Sequence, residues 1–379
     1  MRNSFVVLLA LLLSGCAAVH EDGSLIDLDR DISKDVSLYD FCSKVELFQV
    51  ENRDEAYLSE IKIKSVVKLA DTLIVLTNDP AIKKFSLDGK WLGDISKHGR
   101  GHGEFSMASD LKINRFENTL EVLNPVGIVY KYALDDNYRF IESVDLSDLR
   151  TPVHKFYPVG GGKYVLFSSV DDPMLCLVNP ETRQRKDFEI PVPSWLVGTG
   201  FCPTGEHLFI DGTRGSLNFY ESLYGSCYEY EEDSESFTLV NKWDWGAHNL
   251  DVSKIEPHDN VFDYEKPVRQ SLKTSPGRFK VYASGDKIYS SFRYKSIMNI
   301  HSVIFNRETK DFLLFSKTTE GVRFWPSQYV FDNVMYAFSD PEALPLLINE
   351  EVLRDDASRQ VFEDVSDDSN ILLIKYYLK

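Results

Sequence analysis

The chain is poor in positive charge. Its 379 residues carry 42 Lys and Arg against 59 Asp and Glu, a formal net charge of −17. A chain this acidic, without a run of Lys or Arg, repels a phosphate backbone, so we expect no nucleic-acid partner. Hydrophobic residues make up 43% and aromatic residues 13% of the chain. This composition excludes a disordered or fibrous protein and indicates a folded body.

Cysteines are scarce, and the common metal and catalytic motifs are missing. Beyond Cys16 the chain has only Cys42, Cys176, Cys202 and Cys227, without a C-x-x-C pair or a His at zinc-ligand spacing. No G-x-S-x-G, H-E-x-x-H or P-loop sequence occurs. We therefore predict no metal site, no cofactor and no catalytic residue. Disulfide pairing among the last four cysteines stays open.

Long apolar runs are also absent, apart from residues 5–13, which are too few to span a bilayer. This run follows Arg2 and ends in Leu13-Ser14-Gly15-Cys16, which resembles a bacterial lipoprotein signal. The resemblance implies that residues 1–15 are removed and that the thiol of Cys16 carries lipid. The alternative is an ordinary secretory signal with a chance cysteine.

The segment after the signal is small and polar. This composition over residues 17–30 predicts that residues 16–40 form a tether rather than a domain. A lipidated tether would attach the protein to the membrane. The expected location is therefore the outer membrane, with the folded part facing either the periplasm or the cell surface.

Internal repetition is the strongest fold signal. Six β-rich runs each follow turn-forming residues. Their first residues are 47, 44, 44, 80 and 46 positions apart. The runs are 73–77, 120–124, 164–168, 208–211, 288–292 and 334–338.

Each period holds about four alternating stretches, which is typical of the blades of a β-propeller. No amphipathic helices separate the runs, as a parallel α/β sheet would require. The interval of 80 predicts one blade with an insertion near residues 246–277, where Pro257, Pro267 and Pro276 interrupt the chain. We predict an all-β fold with six four-stranded blades, and seven blades as the alternative.

A propeller ring commonly closes through a blade assembled from both chain ends. Residues 45–50 alternate as an edge strand does, and residues 371–377 are strongly β-prone. Both are predicted to join the strand at 334–338. A second insertion, near residues 340–370, begins with a stretch that could be helical, so we expect a single propeller domain over residues 41–379.

A family resemblance rests on the first predicted blade. The sequence FSLDGKWLGDI at residues 85–95, followed by GRGHGEF at 99–105, resembles the first blade of the six-bladed β-propeller lipoproteins of Gram-negative bacteria, which are similar to NHL-repeat propellers. His102 stands where that pattern usually has Pro. The resemblance implies a propeller fold and a cell-envelope location, and it implies no particular reaction.

The Gly-rich loop at residues 99–105 is a candidate phosphate-binding loop because it carries Arg100 and His102. A phosphate loop gains affinity from a helix N-terminus, whereas the residues that follow here predict a strand. We interpret the loop as a tight connection between blades that needs positive φ angles. The Glu104 carboxylate is expected to accept backbone hydrogen bonds within it.

Ligands of propellers commonly bind at the axial channel, so the starts of the inner strands are candidate positions. Counting back ten residues from each repeat start gives Ile63, Asp110, His154, Gly198, Arg278 and Phe324. The predicted channel residues are the polar ones among these, Asp110, His154 and Arg278, with Arg323 and Trp325 beside Phe324. The charged members would hold an anionic ligand or a sugar, with the indole as a stacking face. The alternative is that these side chains only face channel water.

Three classes of function fit these features. The preferred one is a non-catalytic envelope module that binds a glycan, a peptide or a partner protein. A propeller lyase or hydrolase is the alternative, and it would need a metal or a nucleophile in the channel. A subunit of a larger surface assembly is the third.

Overall fold

The computed structural model of the chain describes residues 26–28, 32–33, 35–95, 98–203, 208–211, 217–326 and 329–379. The expected signal peptide and Cys16 lie outside the described residues. Within the described ranges no helix is long and apolar enough to cross a membrane.

The strands form six separate four-stranded antiparallel sheets, which are the blades. In chain order the strands are β1 Cys42–Gln49, β2 Ile63–Leu69, β3 Thr72–Thr77, β4 Ile82–Ser86, β5 Trp91–Asp94, β6 Asp110–Asn114, β7 Thr119–Asn124, β8 Ile128–Ala133, β9 Phe140–Asp145, β10 Lys155–Val159, β11 Lys163–Phe167, β12 Leu175–Asn179, β13 Gln184–Phe188, β14 Leu208–Asp211, β15 Leu217–Tyr220, β16 Cys227–Glu231, β17 Ser236–Asn241, β18 Gly277–Ser284, β19 Lys287–Arg293, β20 Ile300–Asn306, β21 Phe312–Phe315, β22 Tyr329–Phe331, β23 Val334–Ser339 and β24 Leu372–Leu378. Blades 1 to 5 take four consecutive strands each, from β2 to β21, and blade 6 combines β22, β23, β24 and β1. The prediction of six four-stranded blades is confirmed.

The first strand of each blade is the innermost. The first strands of neighbouring blades contact one another around the ring: β2 with β6, β6 with β10, β10 with β14, and β22 with β2. The fourth strands are mostly exposed, as in β13. Because the sheets are antiparallel, every first strand begins at the same end of the ring, which we call the upper face.

Tight turns join the first two strands of the blades. Residues in these turns adopt positive φ angles: Ala70 at 48°, Asn118 at 55°, Gly161 at 71°, Gly285 at 58° and Asn333 at 60°. Asn and Gly tolerate this conformation at low cost, which explains why turn residues precede the β-rich runs in the sequence.

The predicted position of the repeat is wrong in blade 4. The β-rich run at Leu208–Asp211 is the first strand of its blade, whereas in the other five blades the corresponding run is the second strand. The second strand of blade 4 begins at Leu217, so the interval to Lys287 is 70 residues rather than 80. Both strands are short and rich in apolar residues, so composition alone does not distinguish them.

The ring closes in blade 6 as predicted. Strand β24 pairs antiparallel with β23 on one side and with β1 on the other, with Val45 opposite Tyr376 and Val334 opposite Tyr377. The N-terminal strand is therefore the outermost strand of the closing blade. Each chain end supplies backbone hydrogen bonds that the other end needs.

Buried apolar side chains collect between neighbouring blades rather than at one centre. One cluster joins Leu73 and Val75 of blade 1 to Phe338 and Leu373 of blade 6. Another joins blade 1 to Leu120 and others of blade 2. Since each blade is stabilised by both neighbours, the stability of the ring depends on its closure.

The described part of the predicted tether is packed against the ring. Ile26 is 1% exposed and Leu28 is buried completely. The Ile26 N–H donates to the carbonyl of Asp244 at 2.9 Å. These apolar side chains belong to the core cluster of blades 5 and 6. The small and polar composition of the segment did not predict this contact.

Two long connections carry three of the four α-helices of the described residues. Between blades 4 and 5 three short 3₁₀ helices, Gly246–His248, Val252–Lys254 and Val261–Tyr264, lead into α2 at Glu265–Ser271. Within blade 6, α3 at Leu344–Leu347 and α4 at Asp356–Asp364 lie between β23 and β24, and α1 is the short helix Leu38–Phe41 before β1. The Leu47 N–H of edge strand β1 donates to the Ser358 hydroxyl of α4 at 3.0 Å, so this helix covers part of that edge.

Candidate ligand-binding site

A cavity of about 330 Å³ opens at the upper face, where blades 5, 6 and 1 meet. We call it the blade 5–6 cavity. It is lined by Glu60, Ile63, Lys280, Tyr282, Arg323, Trp325, Pro326, Tyr329, Ala337, Phe338, Ala343, Leu346 and Leu347. This volume suits a small ligand or one or two residues of a polymer.

The connection between blades 5 and 6 places the predicted residues Arg323 and Trp325 in this cavity. The Arg323 N–H donates to the carbonyl of Leu346 at 2.7 Å. This bond ties the connection to helix α3, whose apolar side chains form one wall. The insertion within blade 6 is therefore part of the site rather than a remote surface loop.

Trp325 is surrounded by positive charge. The Lys280 ammonium lies 5.2 Å from the centre of its ring and the Arg293 guanidinium carbon 5.7 Å away. Cations near an indole are attracted by its negative face. Trp325 therefore positions two cations, which differs from the predicted role of a bare stacking face for a sugar.

Arg278 adjoins the same ring. It lines a narrow crevice next to Trp325 together with Lys280 and Arg293. Its φ angle of 54° is unusual for a non-glycine residue, and it sits at an irregularity in the pairing of β18 with β19. Its Nε is buried without a hydrogen-bond partner in the described part of the chain.

The cations of the cavity differ from many exposed cations of the described chain in their pairing. Among the described residues, neither Arg323 nor Lys280 forms an ion pair within 4.0 Å, although many exposed cations elsewhere do, such as Arg183 with Asp148. Glu60 is the one acid of the lining. Burial raises its pKa, and the positive charge of Lys280 opposes that rise.

The other two predicted channel residues lie across the ring, in blades 2 and 3. Asp110 is 1% exposed and its carboxylate lies 3.7 Å from the Lys112 ammonium and 3.9 Å from that of Lys155. It also accepts the Leu111 N–H at 3.0 Å. Asp110 is thus a buried counter-ion to Lys112 and Lys155, and it does not line the blade 5–6 cavity.

His154 precedes β10 and is engaged locally. Its Nδ1 accepts the Ser169 N–H at 3.1 Å, which fixes the connection between β11 and β12. Burial lowers the pKa of His154, and the charges of Lys155 and Arg150 lower it further. Of the five predicted residues, Arg278, Arg323 and Trp325 thus lie at blades 5 and 6, whereas Asp110 and His154 lie at blades 2 and 3.

The Gly-rich loop lies away from the axis, beside the outer strand β9. The Gly101 N–H donates to Glu104 Oε2 at 2.7 Å, and a Cβ atom on Gly99 would meet the same oxygen at 2.0 Å. The loop is therefore built around the Glu104 carboxylate, as expected. Arg100 is exposed, and the exposed His102 ring packs edge-on against Phe140 with ring centres 4.9 Å apart.

Sequence reasoning missed Lys280, Arg293 and the lysines beside Asp110. Alternation along a strand could have indicated Lys280, two residues after Arg278, and Lys112, two residues after Asp110. Arg293 ends strand β19, which the sequence analysis did not treat as part of the channel. Its proximity to Trp325 depends on the irregular pairing of β18, which no local pattern reveals.

The remaining chemistry of the described residues is limited. No group of three or more His, Cys, Asp or Glu side chains is arranged to hold a metal ion within them. Cys42, Cys176, Cys202 and Cys227 are all buried. Burial raises the pKa of Cys227 to about 12, so this thiol stays protonated.

Comparison with known proteins agrees with this architecture. The DUF5128 family, described as a 6-bladed beta-propeller, matches residues 16–324, and the chain belongs to this family. No curated protein matches the sequence significantly.

Two solved structures share the fold. A protein from Bacteroides fragilis assigned as an exported protein superposes with a TM-score of 0.66 at 13% identity, over 89% of this chain and 96% of that one. A member of the DUF4221 family from Bacteroides vulgatus superposes with a TM-score of 0.54 at 11% identity, over 89% of this chain and 97% of that one. At these identities the likeness concerns the fold alone.

Proposed function

We propose that the protein is a non-catalytic binding module of the cell envelope, and that an acidic glycan or peptide binds in the blade 5–6 cavity. One observation carries the proposal. Arg278, Lys280 and Arg323 lie near Trp325 and form no ion pair within 4.0 Å among the described residues, in a chain whose net charge is −17.

The two kinds of wall define the ligand chemistry. Lys280 and Arg323 offer charge-assisted hydrogen bonds to a carboxylate. Phe338, Leu346 and Leu347 form an apolar wall, which suits the apolar face of a sugar ring or an aliphatic side chain. A ligand that carries both features, such as a uronic acid or an acidic peptide segment, uses the whole cavity.

The test begins with a thermal-shift screen of the full mature chain. An oligogalacturonate, a Glu-rich peptide and a neutral oligosaccharide of matched length are the probes. A ligand that binds only the folded state raises Tm with concentration. We expect one of the two acidic probes to raise Tm and the neutral probe to have no effect.

Calorimetry then locates the site. Arg323→Ala and Lys280→Gln should each weaken binding of the active acidic probe by about 1 to 3 kcal/mol, the scale of a lost charge-assisted hydrogen bond. Arg183→Ala, which alters an exposed arginine paired with Asp148, is the matched control and should bind normally. If neither acidic probe binds, or if Arg323→Ala and Lys280→Gln bind with wild-type affinity, the proposal is wrong.

The location is a separate part of the proposal and rests on the lipoprotein-like sequence before Cys16. We propose that lipid on Cys16 anchors the protein to the outer membrane. Cys16→Ser should release the protein from the membrane fraction or stop its processing. Intact-mass spectrometry of membrane-derived protein checks this directly, and a cleaved but unmodified N-terminus would contradict lipidation.

A further inference from the structure

The first strands of the blades form the inner wall of the ring. A second cluster of positive side chains lies on this wall at blades 1, 2 and 3, apart from the blade 5–6 cavity. Lys64 on β2, Lys112 on β6 and Lys155 on β10 come from three consecutive inner strands. The side chains of Lys112 and Lys155 are 17% and 13% exposed. Both side chains are therefore largely buried and keep a small exposed fraction.

The negative charge at this cluster does not balance the positive charge. Asp110 is the one carboxylate that forms ion pairs with these lysines among the residues described, and both of its ammonium contacts, at 3.7 and 3.9 Å, are longer than hydrogen bonds. Lys64 donates to the Ala108 carbonyl at 2.8 Å, a neutral acceptor. Among the described residues, Asp110 thus contacts two of the three ammonium groups, and the third is hydrogen-bonded to a carbonyl.

Two lysines elsewhere in blades 1 and 2 are paired with acids. Lys131 in blade 2 contacts two acids, Glu117 at 2.6 Å and Glu142 at 3.2 Å. Lys68, on the same strand as Lys64, lies 2.8 Å from Asp332. The chain has an excess of acids, so the shortage at the inner wall is local.

The environment disfavours these charges when no anion is present. Burial lowers the pKa of Lys155, the Asp110 carboxylate raises it, and the positive charges of Lys112 and Lys64 lower it. Burial also lowers the pKa of Lys64. An anion placed between the lysines would remove this repulsion and supply acceptors for their free N–H groups.

We propose that Lys64, Lys112 and Lys155 form an anion-binding site on the inner wall that takes a compact oxyanion, either a phosphate or a carboxylate group. Each ammonium group provides up to three donors, so the cluster binds by charge and hydrogen bonding without a fixed planar geometry. This site is independent of the blade 5–6 cavity.

The probes are inorganic phosphate and acetate, titrated into the full mature chain by calorimetry at constant ionic strength. We expect saturable binding of at least one probe. Lys112→Gln and Lys155→Gln should each weaken it by about tenfold, the loss of one charged donor, and Lys112→Arg should retain it. Tighter binding of phosphate than acetate would assign the site to phosphate groups, and the reverse order to carboxylates.

Two further variants separate this site from general charge effects. Lys90→Gln removes an exposed lysine from the hairpin between β4 and β5, at the opposite end of the ring, and should leave the affinity unchanged. Arg323→Ala should also leave it within about twofold, because that residue belongs to the blade 5–6 cavity. Absence of saturable binding of both probes, or equal affinity of Lys112→Gln, Lys155→Gln and Lys90→Gln, would overturn the proposal. Circular dichroism of each variant shows whether the fold is intact.

Discussion

The two sides of the upper face use charged residues differently. At blades 2 and 3 the buried Asp110 carboxylate faces Lys112 and Lys155. At blades 5 and 6, Arg323 and Lys280 face a cavity and an indole ring without an ion-pair partner among the described residues. The same position in the repeat thus supplies a buried carboxylate to two lysines on one side, and on the other it presents cations that form no ion pair with a described residue. A polar residue at a repeat position does not by itself indicate a ligand site, because the nearest charges decide its role.

The largest expected effect concerns the ring that holds both sides together. Deleting residues 371–379 removes β24, the strand that joins β23 to β1. Both of its neighbours would be exposed, and the core cluster between blades 6 and 1 would lose Leu373. We expect loss of the whole fold, including blades 2 and 3, measured by far-ultraviolet circular dichroism and limited proteolysis.

Independent melting of blades 2 and 3 at the wild-type temperature in this truncated chain would contradict closure as the source of stability. It would also show that the two sides of the upper face are separate folding units.

Removing one charge on each side should change the free energy of unfolding by very different amounts. Asp110→Asn leaves Lys112 and Lys155 without their carboxylate in a mostly buried setting, and we expect a loss of about 3 kcal/mol of unfolding free energy. Arg323→Ala removes a cation with no described ion pair, and we expect a change within about 0.5 kcal/mol. Urea denaturation measures both values. Equal destabilisation by Asp110→Asn and Arg323→Ala would show that the charges on the two sides of the upper face contribute alike to stability.

We expect the loss of folding stability at low pH to originate in blade 5. His301 is 5% exposed, and burial lowers its pKa to about 4, with Lys295 and Arg323 adding to the effect. Because the unfolded state takes up this proton near pH 6.5 and the folded state does not, stability is lost as the pH falls from 6.5 towards 4. The loss between pH 7 and 5 is about 2 kcal/mol for this group.

His301→Phe should reduce this acid sensitivity, since a phenyl ring can stack on Phe292 as the imidazole does, with ring centres 5.5 Å apart. Urea melts at pH 7 and 5 give the comparison. His258→Phe, at an exposed histidine, is the control and should keep the wild-type pH dependence. An unchanged pH dependence in His301→Phe would show that the acid-sensitive group lies elsewhere.

The fold was predictable because each period of the chain repeats a local pattern. Turn residues such as Asn118 and Gly285 precede β-rich runs, and both chain ends read as strands. The repeat was assigned to the wrong strand of blade 4 because β14 and β15 are both short apolar strands. The burial of Ile26 and Leu28 is a long-range contact with blades 5 and 6, which the polar composition around them concealed.

The site was predictable only in part. Counting along the repeat reached Arg278, Arg323 and Trp325 because the connection between blades 5 and 6 leads to the channel. It also reached Asp110 and His154, whose roles depend on Lys155 and Ser169 across strand pairings. The apolar wall that α3 supplies to the cavity depends on how the insertion within blade 6 folds back. The repeat of the sequence does not extend into this insertion, so it could not be predicted from the period.

The central claim is that the unpaired cations of the blade 5–6 cavity bind an acidic ligand. Hydrogen exchange measured by mass spectrometry, with and without the acidic probe that most raises Tm, tests it most directly. The account predicts slower exchange in Gly277–Ser284 and Leu344–Leu347, with no change in Asp110–Asn114. Protection confined to the Gly-rich loop at residues 99–105 or to the insertion at residues 246–277 would contradict it.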